Sequence, residues 1–150
     1  MLADLAVFDR SGQIAAIAEI KRRLGTSCDW AAQVRRNLLA HDIRRVAGYF
    51  LLITPDRLYL WKDAGTNPDK VPPTHEADMQ PEFAKYFAGA EIDPSHVSGG
   101  AFELLVGAWL GELTRLEDEA KDLAENRSWL AESGLLSAVK DGRIEYEVPV

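Results

Sequence analysis

Two apolar runs open the chain, LADLAVF over residues 2–8 and QIAAIAEIK over residues 13–21. Between them stands Asp9-Arg10-Ser11-Gly12, a turn composition, so the pair predicts a β-hairpin. Thr26 or Ser27 can cap a helix running to about His41, because Trp30, Val34 and Leu38 recur at helical spacing. Tyr49-Phe50-Leu51-Leu52-Ile53 is a continuous apolar run of buried-strand type, and Pro55-Asp56 turns it into Leu58-Tyr59-Leu60-Trp61. The stretch from Ala64 to Gln80, with Pro68, Pro72 and Pro73, reads as a surface connection. A short helix near Glu82–Ala88 and a long one from about Gly99 to Asn126 follow. Trp129–Lys140 adds a helical turn or two interrupted at Gly134, and the alternation of Arg143–Val148 predicts a closing strand. No internal repeat is found.

The expected fold class is therefore α/β, a central mixed β-sheet with flanking helices in one domain of 150 residues. Residues 1–62 form its α/β core, 63–80 the surface connection, and 81–150 a mainly helical extension with a possible final strand. A chain 47% hydrophobic with four Trp has enough apolar surface for one such core. The opening MLADLAVFDR has no basic leader and is broken by Asp4, so neither a signal peptide nor a membrane anchor is expected. The single cysteine, Cys28, excludes an internal disulfide and suits a reducing cytoplasm; a small half-buried side chain describes it better than a nucleophile.

Net charge is −7, which argues against unassisted nucleic-acid binding, but its distribution is uneven. Residues 1–60 carry +3 and residues 61–150 carry −10. The basic residues group as Lys21-Arg22-Arg23, Arg35-Arg36 and Arg44-Arg45, where a phosphate backbone would be bound if one is bound at all. Ordinary solvated surface charge is the alternative.

Candidate chemistry comes from the hairpin's register. With Ser11 and Gly12 at the turn centre, Asp4 faces Glu19 directly, their Cβ atoms roughly 5 Å apart on one face. Lys21, two residues on, points to that same face. Two carboxylates so close in apolar runs repel and resist ionisation unless a cation lies between them. Lys21 can neutralise one of them in a structural salt bridge; a divalent metal can hold both.

Asp4, then Glu19-Ile20-Lys21 on the next strand, then a helix carrying Gln33, then a buried strand, resembles the core of the restriction-endonuclease-like PD-(D/E)XK phosphodiesterase superfamily over roughly residues 1–62. The resemblance implies a Mg²⁺- or Mn²⁺-dependent nuclease acting on DNA or RNA. Asp4 and Glu19 would be metal ligands with the Ile20 carbonyl as a third, and Lys21 would position the attacking water. Gln33 matches the first residue of a Gln/Tyr pair that some branches carry on the following helix; Asn37 stands at the second. Gln33 and Asn37 fit equally well as polar contacts bordering a buried face. Arg22, Arg23, Arg35, Arg36, Arg44 and Arg45 would track the substrate backbone. The superfamily's proline before the Asp is Ala3 here, and its core begins with a helix and a strand ahead of the Asp-bearing strand. Without these, the Asp strand would leave an open sheet edge for a second copy, giving a homodimer, or for another chain that completes the sheet.

In the second half, Phe102, Val106, Trp109, Leu113, Leu116, Ala120 and Leu123 form an apolar seam beside an acidic face. It packs on the protein's own core or pairs with another helix. His41, His75 and His96 have no metal-ligand spacing, and Ser98-Gly99-Gly100 reads as a helix cap. Three functions stay open: the nuclease, an inactive nuclease-like domain serving as an interaction or assembly subunit, and an unrelated small-molecule or metal-binding protein.

Overall fold

The computed structural model describes residues 2–41, 47–116 and 123–150. Six strands form one mixed sheet: β1 (Leu2–Phe8), β2 (Ile14–Ile20), β3 (Tyr49–Ile53), β4 (Arg57–Lys62), β5 (His75–Asp78) and β6 (Arg143–Pro149). Their spatial order is β5-β4-β3-β2-β1-β6, with β2 and β3 parallel and every other neighbouring pair antiparallel. A parallel neighbour cannot be reached by a tight turn, and the crossover from β2 to β3 is made by α1 (Cys28–His41). Ser27 caps that helix, its Oγ accepting the Trp30 N–H at 3.1 Å.

Alternation along the strands sends side chains to two separate apolar layers. On one face Trp30, Ala31 and Val34 of α1 pack with Leu52, Tyr59 and Trp61, and Leu38 and Leu39 pack near Ile17. The opposite face carries the larger core, where Leu5, Val7, Ala16, Ala18, Leu51, Ile53, Leu58 and Leu60 meet the helices of the second half. These are α2 (Gln80–Ala90), α3 (Gly99–Thr114), α4 (Ser128–Glu132) and α5 (Leu135–Val139). Gly134, at φ +81°, supplies the left-handed residue that separates α4 from α5. Gly107 lets α3 approach β6, because a Cβ there would fall on the Tyr146 hydroxyl.

Four expectations are corrected. The outer edge of β1 is occupied by β6, in the register Ala3↔Val148 and Leu5↔Tyr146, so no second copy or other chain is needed to complete the sheet there. The stretch taken for a surface connection contains β5, held to β4 through pairs such as Leu58↔Ala77. Residues 81–150 are not an extension, since Phe83, Phe102, Val106, Trp109 and Leu113 lie in the main core. The long helix ends at Thr114, where the Arg115 N–H turns back to the Glu112 carbonyl and the Leu116 N–H to the Leu113 carbonyl. Its expected continuation to about Asn126 lies partly outside the described residues.

Candidate functional site

The β1/β2 ladder runs Val7↔Ala16, Ala6↔Ile17 and Leu5↔Ala18, the register the turn predicted, with an irregularity between Val7 and Phe8 nearer the turn. At the turn itself Asp9 Oδ1 accepts the N–H groups of Ser11 and Gln13, which fixes where the hairpin folds back. Past Leu5 the strands are joined by side chains. The Asp4 N–H donates to Glu19 Oε1 at 3.3 Å, and the Ile20 N–H donates to Asp4 Oδ2 at 2.8 Å. Each acid thus bonds the main chain of the strand opposite, and the two carboxyl groups meet where backbone pairing gives way.

Glu19 is 4% exposed, between Asp4 and its β3 neighbour Leu52. Burial pushes its carboxyl up to about 8, and the Asp4 carboxylate adds to the shift by repulsion and by a hydrogen bond that favours the protonated form. The Asp4 N–H and the Lys21 charge act the other way. At neutral pH Glu19 therefore carries a proton.

Asp4 opens onto a cavity of about 400 Å³ that Ile20, Lys21, Arg22, Gly99 and Glu103 also line. Lys21 is exposed and held at the strand end by its N–H to the Ile53 carbonyl, 2.9 Å. Arg22 packs on Gly99 and donates from Nη1 to the Val97 carbonyl at 3.3 Å. One cavity wall thus comes from β2 and its continuation, the other from the start of α3.

Glu103 is a member that the sequence reading missed. Its carboxyl is raised by burial, then by Asp4 and by Glu147. Glu147 belongs here because the pairs flanking Asp4 on β6 set it across from Asp4, with a left-handed φ of +52°. In the sequence Glu103 is a single acid in the second turn of an apolar helix, and only the packing of α3 over β1 brings it to Asp4.

The predicted residues are not all gathered. Gln33 lies on the exposed side of α1, donates to Asn37 Oδ1 at 3.1 Å, and is not among the residues that line the Asp4 cavity. Arg35 is 2% exposed, 5.6 Å over the Trp61 ring, with Nη2 donating to the Gly65 carbonyl at 3.1 Å. It supports the loop after β4 and cannot reach a phosphate in solution. Arg23 stands 5.7 Å over Trp30, and Arg36 donates to Asn37 Oδ1 at 3.2 Å. Arg44 and Arg45 lie outside the described residues. Among the described arginines of the expected track, Arg22 alone lines the cavity, beside Lys21.

Among the described residues, no three His, Cys, Asp or Glu side chains group closely enough to hold a metal ion by themselves. No helix among them is long and apolar enough to cross a membrane. Compared with protein-family models, curated proteins and solved structures, the chain gives no match.

Proposed function

We propose that the Asp4/Glu19 site is the metal centre of a phosphodiesterase acting on nucleic acid, of the PD-(D/E)XK type. The observation that carries this reading is the meeting of two carboxyl groups at the broken end of the β1/β2 ladder, beside an open cavity lined by Lys21 and Arg22. A buried acid paired with a second acid is costly when both are ionised, and a divalent cation removes that cost.

The donor set fits a hard ion. Mg²⁺ takes one or two protein carboxylates and keeps its other positions for water and phosphate oxygens, so a site with fewer than three grouped ligating side chains is no obstacle. In an antiparallel strand a residue's N–H and C=O point the same way, so the Ile20 carbonyl faces β1 as its N–H does. Asp4, Glu19 and that carbonyl are the oxygens that would hold the ion. Bound there, Mg²⁺ or Mn²⁺ would supply Lewis-acid charge at the phosphoryl oxygens. Lys21 would hold the attacking water by donating a hydrogen bond to it, and Arg22 would take the neighbouring phosphate.

Topology supports the same reading. In this reading α3 and β6, which reach β1 from the other end of the chain, would stand in for the helix and strand that precede the Asp strand in the superfamily core. β6 pairs antiparallel with β1, and α3 packs over both. A core with its first helix and strand moved to the C-terminal side would look like this.

The test is cleavage of a mixed pool of single- and double-stranded DNA and RNA in Mn²⁺. The wild type should cut, and Asp4→Asn, Glu19→Gln and Lys21→Ala should not. A wild type that binds the ion and leaves every strand intact would favour the inactive, assembly-subunit reading.

A further inference from the structure

Beyond the carboxylate site, a second cavity of about 440 Å³ opens on the same end of the sheet, within the range of small-ligand sites. Leu24, Pro55, Phe87 and Pro94 give it apolar walls, with Gln80 and Asp93 among its polar members. Leu24 is 46% exposed, one of few large apolar side chains in the described structure left open to water. Both walls continue from the first cavity. Lys21 and Arg22 line the first and Leu24 the second; Gly99 lines the first and Ser95 the second. The two walls are tied together by the Arg22 hydrogen bond to the Val97 carbonyl. From Arg22 to Leu24 is two residues, at most about 7 Å of extended chain.

We propose that this second cavity seats an unpaired nucleobase of a strand whose phosphate lies against Lys21 and Arg22, which makes single-stranded nucleic acid the substrate class. The proposal rests on the nuclease reading and extends it. An apolar slot suits the face of a base, and stacking on such walls tolerates any base. Asp93 accepts hydrogen bonds only, and the Gln80 side chain both donates and accepts, so the polar members match a base's amino and ring edge. A base inside a duplex is stacked and paired and cannot enter a slot of this kind without being extruded.

The experiment measures binding of short labelled strands in EDTA, where nothing is cut, for wild type, Leu24→Ala and Gln80→Ala, with Mn²⁺ affinity measured separately. A hexamer of adenine nucleotides should bind about tenfold more tightly than an abasic hexamer with the same phosphates, and more tightly than a duplex. Leu24→Ala and Gln80→Ala should weaken the base-bearing strand toward the abasic one and leave Mn²⁺ affinity unchanged. Equal binding of the two hexamers, or preference for the duplex, overturns the proposal while the ion site stands. Failure of the wild type to bind Mn²⁺ instead strikes the nuclease reading, and the strand comparison is still read on its own.

Discussion

Glu19 is the residue on which most of the chemistry turns. Its carboxyl, raised to about 8 from 4.5 by burial and by Asp4, stays protonated in the folded protein over a range where the unfolded chain has lost that proton. The native state therefore binds more protons than the unfolded state between those values, and stability falls as pH rises through that window. The contribution is fully present below pH 4.5 and gone above about 8. Replacing Glu19 by Gln should flatten the decline, read as denaturant midpoint against pH, because the amide keeps the shape and never ionises. In the proposed metal site a bound cation would do the proton's work at the same place. Ion binding near neutral pH should release about one proton, and affinity should rise with pH and level off above pH 8. Calorimetry in two buffers of different ionisation enthalpy measures the proton count directly.

Elements decide which of these residues meet. The hairpin was legible because Asp9-Arg10-Ser11-Gly12 names its own turn, and a turn sets the register of the strands on either side. Once Leu5 faces Ala18, Asp4 must stand across from Glu19. The Ser27 and Ser98 caps and the break at Gly134 were legible for the same reason, since each depends on its immediate neighbours. β5 was not legible: HEAD has neither alternation nor β-branched residues, and two prolines precede it. It forms because β4 offers it an edge. Nor could the sequence pattern say that β6 pairs with β1 or that Glu103 meets Asp4, because both depend on contacts about a hundred residues or more apart. The close approach of α3 to β6 is open to test. Gly107→Ala should destabilise by about 1 kcal/mol, the order expected for overpacking against a side chain with room to move. In a Tyr146→Ala background the same change should cost almost nothing, read by chemical denaturation of all four proteins.

At the scale of the whole molecule, charge limits how nucleic acid could be held. The protein carries −7, and of the four described arginines that suggested a track, Arg35 is buried and Arg22 alone lines the cavity with Lys21. Two cations at the contact predict a shallow salt dependence for a single strand, with log K against log salt sloping about −1.4. A track of six would give a slope of about −4. A titration from 50 to 300 mM salt separates the two, and the steep result would mean that the backbone is held by residues away from the Asp4/Glu19 cavity. A divalent ion at the Asp4/Glu19 pair would add charge at the phosphate that two cationic side chains leave short.

The measurement that bears most directly on the account is Mn²⁺ and Mg²⁺ binding by calorimetry at pH 7, on the wild type, Asp4→Asn and Glu19→Gln, each first checked for native circular dichroism. The account predicts saturable binding by the wild type with release of about one proton per ion, and its loss in both variants. No binding at millimolar ion, or binding that survives both substitutions, would contradict it and leave Asp4 and Glu19 as a shared-proton pair that closes the end of the β1/β2 ladder.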